Sequence, residues 1–191
     1  MRPLALAAAL SLVAFPALAH VGPHAESGFA AGFTHPLTGL DHLLAMLGVG
    51  LWAGLACRRS PWAWPATFIA VMTAGFVLGA GGAPWRGMEA VIAASVVAFG
   101  LAAAVNLKPP AALGATIVGA FALAHGYAHG QELAPGVSGG EFAAGFVAAT
   151  ALLHLGGFGL ARAIERLSAP RLAQAAGLSL AAGGLALAWI S

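Results

Sequence analysis

The chain has 191 residues, of which 60% are hydrophobic and only 7% charged, with a formal net charge of +2. A soluble globular domain is near half apolar and about a quarter charged, so this composition excludes one and points to an integral membrane protein. The charge is too small, and too scattered, for a nucleic-acid partner, and the single cysteine, Cys57, excludes an internal disulfide and a CxxC site.

Residues 1–19 read as a cleavable secretory signal. Arg2 supplies the positive start, Leu4 to Phe15 the apolar core, and Ala17-Leu18-Ala19 the small-residue cleavage site. The apolar run is shorter than the about 20 residues a membrane span needs. Residues 20–191 are expected to form one all-α, polytopic domain. Its six transmembrane helices lie at roughly 36–56, 61–81, 88–105, 110–129, 142–161 and 172–190. The breaks fall at Arg58-Arg59-Ser60-Pro61, Gly81-Gly82-Ala83-Pro84, Lys108-Pro109-Pro110, Pro135-Gly136 and Ala169-Pro170, where proline and glycine interrupt helices. Apolar character already begins near Gly28, and one helix from there to Ala56 would be about 43 Å long. Pro36 is the expected break, with residues 27–34 as an interfacial or half-inserted helix ahead of it. Trp52, Trp62, Trp64, Trp85 and Trp189 fit interfacial belts.

Charge orients the bundle. With the mature N-terminus outside the cytoplasm, the inner loops hold Arg58, Arg59, Lys108, Arg162, Arg166 and Arg171, and the outer segments hold only Arg86. That asymmetry matches the positive-inside rule. It places the protein in the cytoplasmic membrane with both mature termini periplasmic.

Seven histidines in so apolar a chain call for an explanation. Ionisable groups at membrane depth are costly and mark functional sites. Imidazole and carboxylate together suit a divalent transition metal such as nickel, zinc or copper. His35, Asp41 and His42 fall in the outer half of the first span, and His35, His42 and Met46 share a stripe if that helix continues. Asp41 points about 100° away from His42, either as a ligand or as a partner fixing its tautomer. His125 and His129 are four apart on one helical face, with Glu132 three further on. Glu89 opens the third span on its outer side, and His154 lies about four turns down the fifth. Spans one and four together offer three or four ligands, to which Glu89 and His154 add. Structural roles compete: a helix-start charge at Glu89 and Glu141, a buried helix contact at His154. The pentapeptide Phe29-Ala30-Ala31-Gly32-Phe33 recurs at Phe142-Ala143-Ala144-Gly145-Phe146, a register that aligns Asp41 with His154.

The run from Gly28 to Met46, with His35-Pro36-Leu37-Thr38-Gly39-Leu40-Asp41-His42 at its centre, resembles the signature of the HupE/UreJ family. The segment His125-Gly126-Tyr127-Ala128-His129-Gly130-Gln131-Glu132 resembles its second conserved block, and the likeness extends over the whole chain. The resemblance implies a membrane protein associated with hydrogenase and urease gene clusters, a nickel permease or nickel accessory protein and not an enzyme. It implies His35, Asp41 and His42 as the core metal motif, with Glu89, His129 and Glu132 as further functional positions. The expected cargo is Ni2+, with Co2+, copper or Zn2+ as alternatives. The expected partners are the lipid bilayer and a second copy of the chain or a metallochaperone. No Walker motif is present, so ATP is not hydrolysed by this chain. Met46, Thr38 and glycine carbonyls are the candidate relays toward the inner half. Two other classes compete: an intramembrane metal-dependent hydrolase, which lacks the HExxH signature, and a haem protein with paired axial histidines.

Overall fold

The computed structural model describes residues 28–57 and 59–190. The signal at residues 1–19, and His20 and His24, lie outside the described residues. The described chain forms seven helices and no strand: α1 Gly28–Thr38, α2 Leu40–Ala56, α3 Ala63–Gly79, α4 Met88–Ala104, α5 Ala111–Gln131, α6 Gly139–Arg166 and α7 Pro170–Ile190. Five of the six expected segments each overlap one of α3 to α7, and the first, 36–56, takes in the end of α1 and all of α2. Helices α5, α6 and α7 are long and apolar enough to cross a membrane, and α1 with α2 makes a fourth candidate if that bent pair is one span. Helices α3 and α4 are apolar but have 17 residues each, about 26 Å.

The first helix breaks at Gly39 and not at Pro36. Pro36 sits in the last turn of α1, where φ near −65° suits a helix and only two residues follow its missing N–H. Gly39 then takes extended backbone (φ −85°, ψ 112°), and the axis turns by 81° into α2. The expected stripe through His35, His42 and Met46 therefore does not exist.

Glycine brings the helices into backbone contact, as small residues do in membranes. A Cβ on Gly126 of α5 would fall on the Met72 carbonyl of α3, and one on Gly75 or Gly79 of α3 would strike α5. Gly50 of α2 and Gly157 of α6 join those two helices in the same way, as Gly100 and Gly177 join α4 and α7. The repeated pentapeptides pack on one another. Gly32 of α1 lies against the Phe142 carbonyl and Gly145 of α6 against the Phe29 carbonyl. Their aligned residues Asp41 and His154 do not take equivalent places.

Side chains such as Val77, Leu78, Leu101, Leu113, Leu152 and Leu185 stay exposed on the outer surface, the pattern expected where lipid is the solvent. Hydroxyls there are satisfied locally: Thr67, Thr73 and Thr116 each donate to the carbonyl four residues back. Trp52 and Trp64 are not interfacial. Both are buried in the core, ring against ring at 4.4 Å. The Trp52 Nε1–H donates to the Leu107 carbonyl and the Trp64 Nε1–H to the Ala111 carbonyl. This pair closes the end of the bundle where Lys108, Glu165 and Arg171 line one cavity. Trp62, Trp85 and Trp189 are exposed, as interfacial residues should be.

A candidate metal centre of histidines and carboxylates

The histidines gather at the end opposite the tryptophan pair. At the mouth the C-terminus of α1 meets the C-terminus of α5. The His35 Nε2–H donates to Glu132 Oε2 at 2.8 Å, and the His129 Nδ1–H donates to the same oxygen at 3.2 Å. The Glu132 carboxyl, just past the end of α5, is held well below its ordinary pKa by the hydrogen bonds from His129 and His35. His35, His129 and Glu132 each place a ligand atom within 4.8 Å of the other two. His35 and Glu132 are partly exposed, so this trio faces the surroundings, whereas His129 beneath them is 1% exposed.

The 81° bend delivers His42 to the same place from α2. The His42 ring packs against the His129 ring at 4.1 Å and the His125 ring at 4.7 Å. Asp41 Oδ1 accepts from both the Nδ1–H and the backbone N–H of His42, each at 2.8 Å. Of the two roles weighed for Asp41, the geometry gives it the second: it orients an imidazole.

Hydrogen bonding fixes the tautomers. An ionised carboxylate only accepts, so His42 and His129 carry their proton on Nδ1 and leave Nε2 as a bare lone pair. Ser95 has one hydroxyl hydrogen, which it donates to the Ile92 carbonyl at 2.6 Å. The His125 Nε2–H therefore donates to Ser95 Oγ at 2.9 Å, and its Nδ1 is bare. These three nitrogens, His42 Nε2, His129 Nε2 and His125 Nδ1, are buried and have no hydrogen-bond partner among the described residues. An unpartnered lone pair out of water is costly for a structural group and is what a borderline-soft cation binds. Each of the three rings is held by its other nitrogen, the arrangement usual for metal-ligating histidine.

Two expected positions stand apart. Glu89 is exposed in the first turn of α4, near enough to sense the charges of Asp41, His42 and Glu132, but it makes no hydrogen bond or ion pair among the described residues. His154 is fully buried against Phe68, a layer below the cluster. Glu141 takes its helix-start place, its backbone N–H donating to the Ser138 hydroxyl that caps α6. Ser95 was not anticipated, although a lone hydroxyl in the apolar run 88–105 was the available signal. Met46 is buried in the core, and Thr38 donates to the His35 carbonyl at the bend.

Fold and site together define an all-helical membrane protein with a histidine-rich, metal-competent centre near one end. The chain belongs to the HupE/UreJ family: the family model described as HupE / UreJ protein matches residues 8–187. It is 41% identical to Protein HupE of Rhizobium leguminosarum bv. viciae over 180 residues, 93% of this chain and 94% of that one. No solved structure matches it.

Proposed function

We propose that the protein is a transition-metal permease of the cytoplasmic membrane, taking up nickel for hydrogenase or urease maturation. The observation that carries this reading is the trio of buried, bare imidazole nitrogens on His42, His125 and His129 beneath the half-exposed pair His35 and Glu132. A hydrated cation arriving from the periplasm meets the charged Glu132 first. It exchanges water for His35, His129 and Glu132 ligands, then for the imidazoles below. Few and mostly neutral ligands suit a carrier, which must release what it binds. The membrane potential draws a divalent cation inward with about 4.6 kcal/mol at 100 mV. Six crossings with both termini periplasmic put the histidine mouth outside and the Lys108 and Arg171 end in the cytoplasm, in keeping with the positive-inside rule. A second copy of the chain, or a metallochaperone at the cytoplasmic end, is the partner this reading implies.

The test is radiolabelled nickel uptake in cells making the protein, compared with His42→Ala and His129→Ala at matched membrane levels. Saturable uptake lost in both variants is expected, and competition by cobalt, copper or zinc then ranks the cargoes. Correctly inserted protein with no uptake above empty vector would sink the proposal.

A further inference from the structure

His154 is 1% exposed, and neither of its ring nitrogens has a hydrogen-bond partner among the described residues. Its position is set by two facing ladders. Helix α6 places Phe142, Phe146, Thr150 and His154 one turn apart, and α3 places Phe76, Met72 and Phe68 one turn apart in the opposite direction. Phe142 stacks on Phe76 at 5.8 Å and touches His35. Phe146 lies against His129 at 4.1 Å. The Thr150 hydroxyl donates to Met72 Sδ at 3.8 Å. His154 meets Phe68 edge to face at 5.1 Å. The Phe68 ring also lies against His125 at 5.5 Å. One phenyl ring thus touches both the lowest histidine of the outer cluster and His154.

A neutral imidazole has one N–H and one lone pair. The face of Phe68 can take the N–H as a weak contact, but no donor reaches the lone pair. A purely structural role would be filled as well by Phe or Leu. From Phe146, level with His129, to His154 is two turns, about 12 Å of helix rise. A metal–imidazole bond is about 2 Å, so His154 cannot share an ion with His129. We infer that His154 is a second, inner metal-binding station and that Phe68 is the gate between it and the outer cluster. Thr150 and Met72, both buried, supply a hydroxyl and a thioether beside the gate. The inference rests on the carrier reading above and adds a path inward.

The experiment is equilibrium dialysis of the purified full chain in detergent against Ni2+, with uptake measured in parallel. Wild type is expected to hold two ions per chain, His154→Phe and His42→Ala one each. His154→Phe keeps an aromatic ring but removes both nitrogens, and its uptake falls by about tenfold or more. If it aggregates, His154→Gln gives the same test with a weak ligand. Phe68→Trp is expected to hold both ions and take up nickel more slowly. Full stoichiometry and uptake in a folded His154 variant would overturn the station, and unchanged uptake in Phe68→Trp would overturn the gate. In either case the carrier survives if His42→Ala loses its ion. Wild type that neither binds nor takes up nickel would remove the carrier reading itself.

Discussion

Asp41 is the residue whose role the geometry separates most sharply from a simple ligand. Its carboxylate spends itself on His42, accepting from the ring and the backbone at 2.8 Å. Asp41→Asn keeps an acceptor of the same shape but removes the charge. A hydrogen bond to a charged group contributes about 1.5–3 kcal/mol, and a neutral one roughly half as much. The Asp41 side chain is 24% exposed, which argues for the lower end, a loss of about 0.8–1 kcal/mol. Transferred to the ion through His42, that is about fourfold to fivefold weaker nickel binding. His42→Ala deletes the ligand and should weaken binding by well over that. The assay is nickel titration of both purified variants by calorimetry, with folding checked by size exclusion. Asp41→Asn as damaging as His42→Ala would mean that Asp41 contacts the ion directly. No loss in Asp41→Asn would mean that the bond to His42 does not tune the site, and either result refutes the reasoning.

Nitrogen NMR of labelled histidine in the metal-free protein should show His42 and His129 as Nδ1–H tautomers and His125 as the Nε2–H tautomer; the reverse pattern at His42 would undo the lone-pair assignment. Ser95→Ala leaves the His125 N–H buried without its acceptor and should lower stability by about 1–3 kcal/mol, seen as a lower midpoint of thermal unfolding in detergent. Gly126→Ala drives a methyl into the Met72 carbonyl and should cost about 1–3 kcal/mol or more, with normal melting counting against close α3–α5 contact. The folded Glu132 pKa is depressed, so its contribution is present above the ordinary carboxyl value and is lost as pH falls through the folded one. The stability gap between wild type and Glu132→Gln should therefore be full near neutrality and narrow below about pH 4; a gap that widens in acid would reverse the assigned sign.

The helices and most of the centre were legible in the chain because they are local properties. Apolar runs bounded by Pro and Gly give the elements, and the four-residue spacing of His125 and His129 gives one shared face. What spacing does not carry is the angle between helices. The turn came at Gly39 because extended backbone there redirects the chain more than Pro36 does in a last turn. That turn, invisible to periodicity, unites His35 with His42 through His129. Trp52 and Trp64 resembled interfacial residues in sequence, yet their N–H groups find backbone carbonyls inside the bundle, which lets large rings be buried. His154 reads in sequence as an added ligand about four turns down the fifth span, and it packs against Phe68. The recurring Phe-Ala-Ala-Gly-Phe turned out to be two halves of one contact, a relation that no linear reading contains.

The glycine contacts have a consequence for motion. They lock α3 to α5, α4 to α7, and α6 to both α1 and α2 at backbone distance, leaving little freedom within each unit. The metal-competent side chains are divided among these units: His125 and His129 belong to one, His35, His42 and His154 to another, and Ser95 to the third. Separating bulky side chains along a boundary is easier than prying apart backbones in contact. A small rocking of one unit against its neighbour would therefore spread the imidazoles, unseat a bound ion and shift Phe68 relative to His154 in the same movement. Transport would then need no helix to bend or unwind, only three stiff blocks hinged around a shared ion.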